Sequence, residues 1–194
     1  MTGQSKAALF DTKAYSIHAV RCSLVAVQLF MLAKIVLSNR RLRAWLPSLI
    51  FAPVCLYLLA HRGEYLWVDS LNLLIHEAGH LLFSGLPAVW HAAGGSLLQV
   101  GLPAALVIHF RWYRMPWGER LSLAWLGQNF LCLSVYAADA QARVLTLQGG
   151  TTHDWAYLLG HAGWLDFDGV VAGFFSVLAL ISFAGLLLLP LSRR

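Results

Sequence analysis

Apolar residues fall into long runs along the chain, separated for the most part by short polar connections. Six such segments stand out, near residues 15–38, 45–61, 68–86, 96–112, 120–139 and 169–190. A helix of about 20 residues crosses the hydrocarbon layer of a bilayer, so segments of this length read as spanning helices. The last of them, VVAGFFSVLALISFAGLLLLP, is the cleanest span. The second carries Pro47 and Pro53 and is expected to kink or to start late. The expected fold class is all-α: a polytopic membrane helix bundle of about six apolar segments, forming one integral membrane domain over residues 1–194.

One connection is longer than the rest, from Gln141 to Asp168. Within it, Thr151 and Thr152 precede HDWAYLLGHAGWL, a pattern that predicts a capped amphipathic helix at the membrane interface or folded back toward it. Trp155 and Trp164 suit that depth. No internal repeat and no low-complexity segment breaks the pattern.

Composition agrees with a membrane chain. Of 194 residues, 59% are hydrophobic and 12% charged, and the mean hydropathy is +0.65, more apolar than a water-soluble domain of this length. The formal charge of +5 does not indicate a nucleic-acid partner, because the basic residues sit singly or in short groups between apolar segments. Arg40, Arg41 and Arg43 form one group; Arg111, Arg114 and Arg120, with Arg193 and Arg194, form another. If every segment crosses, these groups face opposite sides, against the preference of basic residues for the cytoplasmic side. One segment is therefore expected not to cross, and the histidine-bearing third segment or the Gly94-Gly95-Ser96 stretch after it is the candidate. The acidic stretch with Asp154, Asp166 and Asp168 then faces outward. Cys22, Cys55 and Cys132 show no paired spacing, so neither a disulfide framework nor a cysteine zinc site is expected. The first twenty residues lack a charged-then-apolar pattern ending at a small-residue cleavage site, so no removable signal peptide is expected.

The third segment contains LNLLIHEAGHLLF, an ionisable cluster inside an apolar run. Ionisable groups in such a segment cost a few kcal/mol unless they find partners. His76-Glu77-Ala78-Gly79-His80 is an HExxH sequence, and residues four apart lie on one face of a helix. Both imidazoles can reach one metal ion, and zinc takes neutral histidine nitrogen while leaving a position for water in catalytic sites. Glu77 is placed to take a proton from that water and return it to a leaving amine. The alternative is a packing cluster in which the three side chains hydrogen-bond to neighbouring helices.

A third ligand must come from elsewhere, and several residues qualify. By ligand type Asp154 ranks first, Asp139 next and His153 third, with His161, Asp166 and Asp168 behind them. Each also has a plain structural role open to it: Asp139 as a helix terminator, Asp154 as a first-turn acid, His161 as an interfacial side chain. Gly94-Gly95-Ser96-Leu97-Leu98-Gln99 reads either as a strand edge offered to an unwound substrate or as a turn opening the next helix with Ser96 as its cap. Gln128 and Asn129 lie mid-segment and are expected to bridge helices or to support a site. His18, His61, His91 and His109 have no partner at ligand spacing and are read as interfacial.

An HExxH in an apolar segment of a small all-helical membrane chain, followed by a later aspartate, resembles the site-2-type intramembrane zinc metalloproteases, the M50 peptidase family, and their compact bacterial M50B-like members in particular. The resemblance covers mainly Ser70 to Phe83. It implies that His76, His80 and a distant aspartate bind zinc, that Glu77 activates water, and that transmembrane protein or peptide substrates are cut in or near the lipid of the bacterial inner membrane. The family's later asparagine-proline or leucine-aspartate-glycine motif has no clear copy; Asp168-Gly169 is nearest. No PDZ-like or nucleotide-binding regulatory segment accompanies it. A non-proteolytic membrane metal-binding protein, a transporter or an assembly factor, is the alternative, and the sequence does not speak to oligomeric state.

Overall fold

The computed structural model describes residues 21, 24–32, 34, 35, 38–146 and 152–192. The chain divides into two compact units, Met1–Trp45 and Leu46–Arg194. In the first, residues 24–32 are helical with exposed side chains. The rest of the first apolar segment, and His18 with it, lies largely outside the described residues.

Every element among the described residues is helical: α1 (Arg40–Ala60), α2 (Trp67–Leu82), α3 (Ala88–Trp112), α4 (Pro116–Ala138), α5 (Asp154–Ala162), a 3-10 turn (Leu165–Phe167) and α6 (Asp168–Ser192). Among the described residues, four helices are long and apolar enough to cross a membrane: α1, α3, α4 and the stretch Leu165–Pro190. By length and composition the chain is an integral membrane protein. Four of the six expected spans are matched by these helices, the first lies largely outside the described residues, and the third is the one that falls short. The histidine-bearing helix α2 has 16 residues, about 24 Å at 1.5 Å each, short of the ~30 Å hydrocarbon layer.

Local chemistry sets the helix ends. Asp69 accepts the Leu66 N–H at 2.6 Å and so starts α2, and Pro116 starts α4, where its missing N–H costs nothing. α1 runs as one helix through Pro47 and Pro53, beginning before the expected start. The predicted helix after residue 152 is present, but its cap is His153, whose Nδ1 accepts the Ala156 N–H at 3.2 Å; Thr152 is exposed and Thr151 lies outside the described residues. Gly163 closes that helix in the left-handed conformation, φ +70°.

α4 and α6 form the central pair, with α3 packed on α4 and α2 on α3. The core joins Cys55, Leu123, Ala124, Leu131, Ala179, Phe183 and Leu186. Gly127 makes room for the Phe183 ring, since a Cβ there would lie 2.7 Å from its Cδ1. Under α5, Ala140, Ala156 and Leu159 pack together with Trp155.

A buried ion pair locks the same bundle. Glu119 and Arg120 are both fully buried and pair at 2.6 Å, while Arg111 reaches Glu119 at 3.1 Å. Arg120 Nε donates to Ser48 Oγ at 3.4 Å, and Ser48 donates to the Leu186 carbonyl at 2.7 Å, so α1, α4 and α6 share one polar chain. Arg120 therefore does not belong among the juxtamembrane cations with which the sequence groups it: charges inside an apolar bundle persist where they are paired.

Candidate metal centre

The site begins with a close crossing of α2 and α3. A Cβ on Gly79 would lie 2.8 Å from the backbone of Gly94 and of Gly95, and a Cβ on Gly95 would lie 2.5 to 2.7 Å from the His76 ring. The paired glycines are thus neither a strand edge nor a turn. They sit inside α3 and let its backbone approach α2, as small residues do between membrane helices. Ser96 is likewise within the helix and buried.

With the helices this close, α3 can hold the far side of each imidazole. His76 Nδ1 meets Gln99 Oε1 at 2.9 Å, and His80 Nδ1 donates to the His91 carbonyl at 2.8 Å. A carbonyl oxygen carries no proton, so these Nδ1 atoms are the N–H donors and the lone pairs reside on Nε2. Both Nε2 atoms turn toward the same oxygen: Asp154 Oδ2 lies 3.0 Å from that of His76 and 3.1 Å from that of His80. The three donor atoms lie within 4.8 Å of one another.

Two imidazole lone pairs facing a carboxylate oxygen repel unless a cation lies between them or the rings are protonated. Zinc bonds of about 2.0 to 2.2 Å at tetrahedral angles place donors roughly 3.3 to 3.5 Å apart. The two contacts to Asp154 are a few tenths shorter, and with all three atoms within 4.8 Å of one another the group could hold a metal ion. His76 and Asp154 are buried and His80 is half-buried.

Asp154 is held by Tyr136 on α4. The phenol oxygen accepts the Asp154 N–H at 3.0 Å and donates to Asp154 Oδ2 at 3.3 Å. The tyrosine ring stacks on His153 at 4.3 Å and meets the His76 ring edge-on at 6.2 Å. The other third-ligand candidates have different work. Asp139 accepts the Val144 and Leu145 N–H groups at 2.8 and 3.0 Å, and His153 Nε2 lies 3.4 Å from Asp139 Oδ2. Together they pin the end of α4 to the start of α5. Burial pushes the His153 imidazole below its ordinary range, against the pull of Asp139.

The remaining candidates lie apart from the cluster. His161 is exposed and stacks on Tyr157 at 6.0 Å. Asp166 and Asp168 accept hydrogen bonds from Gln141, so the Asp168-Gly169 pair sits at the base of α6. His91 is not partnerless, since its carbonyl holds His80 and its ring lies 5.2 Å from the His80 ring. His61 Nδ1 bonds the Tyr57 carbonyl at 2.9 Å, and His109 packs on Phe110 and Tyr113.

A cavity of about 810 Å3 opens in front of the cluster, lined by His76, Glu77, His80, Tyr136 and Asp154 and also by Asp69, Gln128 and Arg62. Glu77 is half-buried on the cavity wall, and among the described residues its carboxylate has no hydrogen-bond partner. Gln128 bridges α4 to α2 by accepting from Asn72 at 2.6 Å, one of the two roles expected of it. Asn129 donates to the Trp125 carbonyl within its own helix.

Sequence reasoning does not single out Tyr136 or Asp69, and it reaches Gln99 only as the last residue of the Gly94–Gln99 stretch, with no role at the site. Gln99 leaves a trace, as an amide in an otherwise apolar part of α3; Tyr136 leaves none, because its partner is 18 residues away in a separate helix. Compared with known proteins, the chain matches no family model, no curated protein and no solved structure.

Proposed function

We propose that this chain is a zinc-dependent membrane metallopeptidase that hydrolyses peptide bonds of membrane protein or peptide substrates, as its resemblance to the M50 family implies. The observation that carries the reading is the convergence of His76 Nε2, His80 Nε2 and Asp154 Oδ2, with each Nδ1 tied to an acceptor and Glu77 left unpartnered beside them. Acceptors arranged in this way are a ligand set for a divalent ion.

A zinc ion held by these three side chains supplies Lewis acidity toward an amide carbonyl. The chain's own residues supply the rest. Gln99 and the His91 carbonyl hold the imidazoles in the tautomer that presents Nε2, and Tyr136 fixes the carboxylate of Asp154. Glu77 takes a proton from water and delivers it to the leaving amine, which needs a carboxylate that no neighbour has claimed. Substrate reaches the site through the cavity, as a locally unwound segment, because a helical peptide bond is shielded by its own hydrogen bonds. Lipid and transmembrane substrates are its partners on this reading, and the bacterial inner membrane its location.

The unclaimed Glu77 favours an enzyme over a storage or transport protein, neither of which needs a base there. The test measures zinc in purified protein and in His80→Ala, Asp154→Asn and Asp139→Asn variants. One zinc per chain, lost with the first two and retained with the third, supports the reading; equal zinc contents in all four proteins overturn it.

A further inference from the structure

The cavity is lined by a second polar group of residues. Asp69, Leu73, His76 and His80 fall at spacings of four, three and four along α2 and share a face. Asp69 stands seven residues before His76, about 10 Å along the helix. Its Oδ1 accepts from Asn72 at 3.4 Å, from Cys132 at 3.1 Å and from Gln128. Its Oδ2 accepts the Leu66 N–H at 2.6 Å. Asn72 is held in turn by Trp125 Nε1 at 2.8 Å and pairs with Gln128 at 2.6 Å, so both α2 and α4 contribute to the cradle.

Every one of these donors is neutral. They position the carboxylate but bring no positive charge, and among the described residues Asp69 forms no ion pair. Glu119, the carboxylate buried at the start of α4, meets two guanidinium groups instead. Capping and the cradle together call for two acceptor oxygens, Oδ2 for the Leu66 N–H and Oδ1 for Asn72, Cys132 and Gln128, which an asparagine does not offer; the negative charge that comes with them meets no cation among these partners. Arg62 also lines the cavity but forms no ion pair with Asp69 among the described residues, so this half-buried carboxylate is open to a cation that enters the cavity.

We infer that Asp69 is the specificity determinant of the cavity and takes the cationic side chain of a lysine or arginine in an extended peptide substrate. The inference rests on the peptidase reading above. An extended chain advances about 3.3 Å per residue, so 10 Å places the basic residue about three residues from the bond that is cut. A cavity of about 810 Å3 is large enough for this, lying toward the upper end of the usual range of ligand sites, roughly 300 to 1,000 Å3.

The test uses zinc-loaded Glu77→Gln protein and fluorescent peptides of about ten residues, each with a single lysine at a different position. Each peptide has a twin carrying acetyl-lysine, which keeps the side chain and removes its charge. At one position, lysine binds about tenfold tighter than acetyl-lysine. Adding Asp69→Asn abolishes that difference. Equal binding of the twins at every position, a preference that survives Asp69→Asn, or no peptide binding at all overturns the inference. If Asp69→Asn does not fold, the comparison of twins on the Asp69 protein still decides. Should wild-type protein cleave no peptide while the lysine preference stands, the peptidase reading falls and the cationic subsite remains.

Discussion

Tyr136→Phe removes one oxygen atom and leaves the ring that stacks on His153 and abuts His76. Two hydrogen bonds go with it, the one accepted from the Asp154 N–H at 3.0 Å and the one donated to Asp154 Oδ2 at 3.3 Å. Losing a partner that orients a metal ligand lowers metal affinity by roughly 10- to 100-fold, about 1.4 to 2.7 kcal/mol at 25 °C. The bond to the backbone adds a separate cost to stability of about 1 kcal/mol, smaller where water replaces the phenol. A competition titration against a chelating dye, in detergent at fixed pH, measures the zinc affinity. Thermal melting of the zinc-free protein measures the stability cost by itself. The expected result is one zinc still bound per chain, weakened within that range, with a modest change in melting. Unchanged affinity would show that Asp154 needs no support from α4, and the argument from its geometry would be refuted.

Three further outcomes follow from the packing and charges. Gly95→Ala places a methyl group within 2.7 Å of the His76 ring and should cost about 1 to 3 kcal/mol while displacing the imidazole; zinc content and melting should fall together, whereas Gly101→Ala, in the same helix but where a Cβ meets open space, should leave zinc content unchanged and stabilise the protein by about 0.5 to 1 kcal/mol. Arg120→Met deprives Glu119 of its 2.6 Å partner and should destabilise the bundle by about 3 to 5 kcal/mol, with the double variant Glu119→Gln and Arg120→Met recovering most of that loss in denaturant titrations. Asp139→Asn should leave zinc affinity within about threefold of wild type while increasing protease sensitivity between Gln141 and Thr146, because that carboxylate anchors the Val144 and Leu145 amides.

Where residues close together in sequence decide a feature, the sequence is a good guide to it. His76 and His80 share a face because helices repeat every 3.6 residues, and the short helix from Asp154 is foreshadowed by its apolar pattern. Features that depend on distant packing are hidden. Asp154 approaches His76 across 78 positions, and ligand chemistry alone ranks it above Asp139 and His153 without placing any of the three. The Gly94-Gly95 pair shows how this misleads: glycines that suggest a turn in the sequence serve a helix crossing, because the backbone they free is approached by α2 and not by water. Arg120 misleads in the opposite way. It looks like a loop cation until Glu119, its neighbour in sequence, is seen buried with it. The length of α2 follows the same logic, since the apolar residues after Leu82 extend the run in sequence without extending the helix.

The account turns on Glu77 acting as a base beside a divalent ion. The direct test is hydrolysis of a reconstituted transmembrane peptide by zinc-loaded wild-type protein and by Glu77→Gln, with zinc stoichiometry measured on the same samples. The prediction is one zinc per chain in both, and cleavage by the wild type alone. Equal cleavage by the two proteins, or no cleavage by a zinc-loaded wild type across a range of membrane peptides, would contradict it.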